Sequence, residues 1–425
     1  MNRLSIFLVV ISLIAGMVGC NGGGVEEPVY FPDYNLEEAI REAIGKPTGS
    51  IYPSDLDALD ILSASNRGIE DLSGLEYCIK LTNLNLYGNL ISDISPLANL
   101  ANLTALYLGS NPISDLSPLA DLTSLTTLYL GWTQISDISP LANLSNLTHV
   151  SLYRNEIRDI SPLTSLTDLN SLYLHVNQIS DISPLADLTN LVTLYLGHNN
   201  ISDISPLADL TNLTKLNLDN NPISDISPLT SLINLTDLEL QGNETSDISP
   251  LASLTSLEHL QFTCNNISDI SPLAGLTTLR GLLLEGNEIS DISPLASLTN
   301  LSLLGFASNQ TSDISPLSGL TNLIILLLSS CNISDISPLG GLTNLTSLDL
   351  GFNQLSDISP LAGLTNLVDL SLWFNQISDI SPLLDNLGLG QGDYIDLSFN
   401  PLSEQSVNEY IPELEARGVS VNYDS

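Results

Sequence analysis

From Leu81 to Gly388 apolar residues return at fixed offsets every 22 residues, fourteen times without a gap. In the first unit, LTNLNLYGNLISDISPLANLAN, they occupy positions 1, 4, 6, 11, 14, 17 and 20 counted from Leu81. Leu-x-Leu at positions 4 and 6 has the two-residue period of a strand. Asp-Ile-Ser-Pro-Leu at positions 13 to 17 predicts a short helical or 3-10 turn. Serine there is expected to cap free N–H groups, and proline suits a first helical position. A single coil of strand, turn and return loop cannot bury seven apolar side chains by itself. Neighbouring coils must therefore stack and share them. The strands then form one parallel sheet with a spacing of about 4.8 Å, and sixteen of them make a stack roughly 70 Å long.

Position 9 carries Asn in twelve of the fourteen coils, from Asn89 to Asn375, with Thr133 and Cys331 as exceptions. A buried amide both donates and accepts hydrogen bonds, so it satisfies backbone groups that the curve leaves unpaired. Neither Thr nor Cys offers its two donors, which makes both coils weak points. The pattern continues in degenerate form at each end. Leu59, Leu62, Ala64, Ile69, Leu72 and Leu75 fit it beforehand, with Arg67 in the Asn place. Ile395, Leu397 and Asn400 fit it afterwards, following a three-residue insertion. Covers are predicted beyond these: a helix capped at Asn35 with Leu36, Ile40 and Ile44 on one face, and another bearing Val407, Tyr410, Ile411 and Leu414. Gly418 ends the second helix, and Val419 to Tyr423 predicts a last strand.

Ten basic against 48 acidic residues give a formal net charge of -38. The fourteen coils hold only four basic residues: Arg154, Arg158, Lys215 and Arg280. Such a surface repels phosphate, so nucleic acid is excluded as a partner. The N-terminus gives an address. Arg3 precedes an apolar run from Leu4 to Val18, too short to span a membrane and suited to a signal peptide. The run ends in Met17-Val18-Gly19-Cys20, followed by Asn21 and three glycines. It looks like a bacterial lipobox, with Met17 in the place usually held by Leu. The resemblance implies lipidation of Cys20 and an exported, membrane-anchored lipoprotein at the cell surface. Residues 1–19 then form the signal peptide, 20–29 the lipidated Cys and its tether, and 30–80 the N-terminal cap. The repeats fill 81–388, and 389–425 make the C-terminal cap. Cys78, Cys264 and Cys331 lie too far apart in the stack to form disulfides.

The unit SDISPLANLTNLTxLxL-xxNxI resembles the 22-residue repeats of internalin-type bacterial surface proteins over residues 81–388, about three quarters of the chain. The resemblance implies an α/β repeat fold, a curved right-handed leucine-rich-repeat solenoid. Its one long parallel sheet lines the concave face, 3-10 or helical turns form the convex side, and helical caps close both ends. It also implies binding of other proteins through the concave face. No immunoglobulin-like domain or wall-sorting motif follows the repeats, so host-cell invasion is not carried over.

Positions 3, 5 and 7 point away from the core, and position 8 stands at the rim. Position 5 carries Tyr107, Tyr129, Tyr173 and Tyr195, and position 7 carries Tyr87, Tyr153 and His175. Position 8 adds Trp132, Arg154 and His198, and position 3 adds His149. Acidic residues follow, among them Asp219, Glu239 and Glu285, and then a second aromatic group, Phe352, Trp373 and Phe374. Tyrosine suits a strand, and stacked pairs stabilise neighbours. A mixture of Tyr, Trp, His and Arg is more than that purpose needs, and these types are enriched at binding hot spots.

The expected partner is therefore an extracellular protein or glycan, bound by a monomer in an adhesion or recognition role. The alternative is a passive acidic spacer or coat protein, whose outward chemistry would be scattered. His175, His198 and Asp219 make at most a loose metal set, spread over three coils, so no metal is expected. No catalytic spacing or phosphate loop appears, so neither an enzyme nor a cofactor is expected. The Asp column at position 13 suits the starts of helical turns, where negative charge is favoured. The Asn-Leu-Thr triplets follow from the repeat and say little about glycosylation.

The membrane anchor gives the first prediction. Cys20→Ala should abolish labelling by radioactive fatty acid and release the protein or leave its leader uncleaved. Persistent labelling of the variant would exclude Cys20 as the anchor.

Overall fold

The computed structural model describes residues 26–424, so the leader and Cys20 lie outside the described residues. Seventeen strands form one parallel sheet. The first is β1 (Ile61–Ser63), followed by β2 (Asn83–Asn85) through β15 (Asp369–Ser371), one from each regular coil. Next come β16 (Tyr394–Asp396) and β17 (Ser420–Asn422), the strand expected after Gly418. Each pairs with the next coil at an offset of 22 residues, as in Leu84↔Leu106↔Leu128, until the insertion moves it to 25 at Leu370↔Ile395. The sheet does not close on itself. It is the leucine-rich-repeat solenoid that the periodicity requires.

All seven apolar positions of the first coil, Leu81 to Leu100, are at most 1% exposed. The corresponding side chains of the other coils join them in one core from Phe31 in the N-terminal cap to Val419, apart from the buried polar residues Thr245 and Thr311 at position 11 and Asn386 at position 20. Burying one such side chain contributes about 1.5–3 kcal/mol. A coil thus gains most of its stability at the two faces it shares with its neighbours.

The amide ladder at position 9 is continuous on either side of its exceptions. Asn155 Nδ2 donates to Leu130 O of the preceding coil (2.9 Å) and to Leu152 O of its own (3.0 Å). Its Oδ1 accepts from Ile135 N at 3.1 Å, so one side chain ties two coils together. What brings the amide inside is the residue before it. Position 8 is left-handed in all fourteen coils, with φ between 52° and 70°. Apart from Gly and Asn, residues in that conformation cost roughly 1–2 kcal/mol each. Yet the chain places Trp132, Arg154, His198, Phe352 and Phe374 there. The turn is held because its N–H still pairs with the next coil, as in Trp132 N to Tyr153 O at 2.9 Å.

On the convex side, 3-10 turns of three residues in coils 1–6 become five-residue turns in coils 7–13 and a short α-helix, Ser381–Asp385, in coil 14. Their cap differs from the expected one. Aspartate at position 13, not serine at 15, satisfies the free N–H. In all fourteen coils its Oδ1 accepts from the serine N–H at 2.8–2.9 Å. Those bonds hold Asp159 and Asp181 below the ordinary carboxylate range, although neighbouring aspartates push the other way. The acidic column is thus a column of turn caps. The Asn-Leu-Thr asparagines also brace the stack, as Asn146 Nδ2 does by donating to Thr123 O of the preceding coil (2.8 Å).

Helix Tyr34–Ile44 covers the N-terminal end of the core with Leu36, Ala39 and Ile40. Its cap is Asp33 rather than Asn35: the carboxylate accepts from Asn35 N (2.9 Å) and Leu36 N (3.0 Å). Arg67, in the Asn place of the degenerate coil, turns outward to pair with Glu42 of that helix. At the other end Ile411 and Leu414 are buried under the helix Ile411–Ala416, and Gly418 ends it with φ 95°. No described helix is long and apolar enough to cross a membrane. Cys78, Cys264 and Cys331 are free thiols.

The two exceptions relax differently. Thr133 Oγ1 lies 3.1 Å from Leu130 O and 2.6 Å from Asn155 Oδ1, with one proton for two acceptors. Cys331 offers only a weak donor to Phe306 O at 3.4 Å, and the residue after it, Asn332, turns left-handed (φ 61°). Restoring the rung with Cys331→Asn should raise stability by about 1 kcal/mol, the net value of a typical buried hydrogen bond. Urea midpoints of the two proteins test this. A lower midpoint in the variant would show that the turn at Asn332 cannot return to the regular form.

Candidate ligand-binding face

Side chains at positions 5 and 7 stand on the open face of the sheet in two parallel columns. In the position-5 column, Tyr107 and Tyr129 stack with ring centroids 5.0 Å apart, and Tyr173 and Tyr195 do so at 5.2 Å. Ser151 separates these pairs. Beside the gap, Tyr153 and His175 of the position-7 column stack at 4.8 Å, with their planes nearly parallel at 10°. His175 also meets Tyr195 edge-on at 6.1 Å. Burial pushes the Tyr129 phenol up, and its neighbours Tyr173 and Tyr107 add to this.

At the rim, the Arg154 guanidinium lies over the Trp132 ring, 4.2 Å from its centroid. Among the described residues it makes no ion pair, unlike Lys215, which faces Asp237 at 3.7 Å. His198 lies 3.3 Å from the Asn220 amide. His149 is hydrogen-bonded to Thr148 Oγ1 at 2.9 Å, at the opposite edge of the strands, and joins none of the stacks. The structure therefore gathers Tyr107, Tyr129, Tyr153, Tyr173, His175 and Tyr195 on one face, with Trp132 and Arg154 paired beside them.

His175 is the most constrained member. Its Nδ1 is buried and has no hydrogen-bond partner. Burial lowers its pKa below the ordinary 6.5, and the charges of Arg154 and His198 lower it further. His175 therefore takes up its proton below the ordinary imidazole range.

Position 7 also contains glycines that sequence reasoning passes over. A Cβ on Gly131 would run into the Tyr153 ring, and one on Gly109 would crowd Tyr87. The four residues form a row, Tyr87, Gly109, Gly131 and Tyr153, beside the Tyr107–Tyr129 stack. They line an open depression of about 200 Å³. The signal was legible as Gly at the same offset in two consecutive coils between two tyrosines.

The next coils are acidic. Asn217 Nδ2 donates to Asp219 (2.9 Å) and to Glu239, and half-burial raises the pKa of both carboxyls. His175, His198 and Asp219 do not form a metal set, and no group of three or more His, Cys, Asp and Glu among the described residues does. The second aromatic group is larger than expected. Phe352 stacks on Phe374 at 4.6 Å, Trp373 lies 5.9 Å from Phe352, and Phe399 extends the row at 6.1 Å from Phe374. Phe399 occupies the rim position just before Asn400, where the insertion hides its offset.

Known proteins share this architecture. A family model described as leucine-rich repeats (two copies) matches residues 101–143, 145–187, 189–231, 233–275, 321–363 and 345–386, more than half of the chain. The crystal structure of an internalin (inlF) from Listeria monocytogenes is 37% identical over 86% of this chain and 96% of that one, with a TM-score of 0.64. The functional domain of InlJ from the same species is 26% identical over 87% and 81%, with a TM-score of 0.75. A leucine-rich-repeat protein of Leptospira interrogans shares the fold at 23% identity over 84% and 99%, with a TM-score of 0.71. A search of the curated proteins finds no match. Shared repeat, shared solenoid and an internalin at this identity over nearly its whole length make this chain a member of the internalin-type leucine-rich-repeat proteins of bacteria.

Proposed function

We propose that this protein is exported, anchored to the membrane through a lipid on Cys20, and displayed at the cell surface. There it binds an extracellular macromolecule, protein or glycan, on the N-terminal half of its sheet face. One observation carries the reading: six aromatic and imidazole side chains from coils 2–6 pack on the open face in two adjacent groups, Tyr107 with Tyr129 and Tyr153, His175, Tyr195 and Tyr173 in contact. The fold does not require them there, because the same positions hold Leu, Gly, Gln or Ser in other coils. Clustering of this kind favours a ligand surface over a passive spacer. Aromatic rings offer large contact area at small entropic cost, and Arg154 adds a cation that no carboxylate claims. The acidic coils that follow oppose extension of an acidic ligand towards the C-terminus. Membership of a family of repeat scaffolds supports binding rather than catalysis.

Replacing Tyr129, Trp132 and Tyr173 together by Ala should weaken ligand capture by more than about 2 kcal/mol, roughly thirty-fold. The same change at Phe352, Trp373 and Phe374 should matter less. Cross-linking capture with both variants decides between them, and the reverse ranking would place the site at the C-terminal end.

His175 gives a separate prediction. Its pKa is lowered in the folded protein, so the unfolded chain takes up the proton first as the pH falls. Stability is thus fully present above about pH 6.5 and declines below it, until the folded-state pKa is passed. Urea midpoints should drop less between pH 7.5 and 5.5 in His175→Gln than in the wild type. Equal drops would show that the buried imidazole does not contribute.

A further inference from the structure

The depression in coils 1–4 has a more specific shape than the rest of the face. We propose that it holds one neutral hexopyranose ring of a glycan, clasped between Tyr87 and Tyr153. This rests on reading the N-terminal sheet face as a ligand surface and names the chemistry that its first four coils select.

The row along position 7 explains the shape. Tyr87 and Tyr153 bound two consecutive coils whose residues there, Gly109 and Gly131, have no side chain. Each ring leans inward into the space that a side chain on its neighbouring glycine would fill, so the slot lies between the two rings, with both glycines in its lining. The stacked Tyr107 and Tyr129 rings form its long side. At about 200 Å³ the slot is smaller than sites for drug-sized molecules, which run to roughly 300–1,000 Å³. It accommodates a single ring and leaves the rest of a chain outside.

The lining decides which ring. No charged residue lines the depression, and the protein as a whole is strongly acidic, so the occupant is neutral. All four aromatic groups are phenols. An apolar plug would need no hydroxyls, and the Phe352–Phe374–Phe399 row at the other end of the sheet shows what this scaffold presents to an apolar surface. A pyranose combines what the phenols offer. Its C–H face meets the electron-rich face of an aromatic ring, while its equatorial hydroxyls exchange hydrogen bonds with phenol groups at the edge. Tyr87, 42% exposed, is the freer of the two jaws. Tyr153 is fixed from behind by the stacked His175 ring.

Saturation-transfer NMR on the full chain tests the proposal, with methyl glucoside, galactoside, mannoside and N-acetylglucosaminide (both anomers of each) as probes. At least one should receive saturation at its ring C–H protons and show millimolar affinity. Tyr87→Ala should reduce that affinity at least ten-fold without changing the urea midpoint, and Tyr153→Phe should retain part of it. Phe352→Ala should leave it unchanged. The idea is overturned if no probe receives saturation, or if the signal survives Tyr87→Ala with Tyr153→Ala. The broader reading has its own readout. Should no probe receive saturation while the variant lacking Tyr129, Trp132 and Tyr173 loses capture of a protein, the sheet face is a protein-binding surface and the sugar slot is refuted.

Discussion

A coil that turns sharply off its strand leaves backbone carbonyls and N–H groups facing an apolar interior, and the asparagine amide at position 9 satisfies them. Its two donors and one acceptor bridge successive coils, so each rung fixes the spacing and rotation of the next. The cost of leaving such groups unpaired is about 1–3 kcal/mol each, which a single coil could not sustain fourteen times over. The left-handed residue at position 8 is the geometric condition for that rung. Since every coil meets the condition with whatever side chain it carries, position 8 is free to vary. The rim displays Trp132, Arg154 and Phe374 for that reason.

Two further ladders and a column of turn caps run alongside the amides. Aspartates cap the convex turns, return-loop asparagines reach one coil back, and threonines at position 2 donate to the preceding coil, as Thr104 does to Thr82 O at 3.0 Å. The aspartate caps stay within one coil, while the other three classes of bond cross between coils and fix the register of the sheet. The core contributes free energy without direction, and the ladders supply the direction.

The repeat makes the core, the strand positions and the amide ladder legible in the sequence alone. Periodicity is a direct image of stacking, and each apolar offset had one place to go. Capping was harder to read: Asp33 and Asn35, or Asp93 and Ser95, are both plausible caps, and only backbone geometry distinguishes them. The tyrosine column was visible as an outward offset. Its interruption at Ser151 was visible too, whereas the stacking of Tyr153 on His175 beside that gap depends on rotamers, which sequence does not specify. The slot with Gly109 and Gly131 in its lining stayed hidden because its volume is made by residues that carry no chemistry of their own. Phe399 was concealed by three inserted residues.

Unbroken register has a metrical consequence. Because strands follow one another at a spacing of about 4.8 Å, the separation between any two surface features is a whole number of steps. Gain or loss of one 22-residue unit between the tyrosine slot and the phenylalanine row would move them apart or together by one step. Neither end would be remodelled. The molecule is in this sense a graduated rule, with two marked divisions whose interval is set by coil number alone. A ligand long enough to touch both would sense that count, and variation in repeat number would change its span without changing a single contact residue.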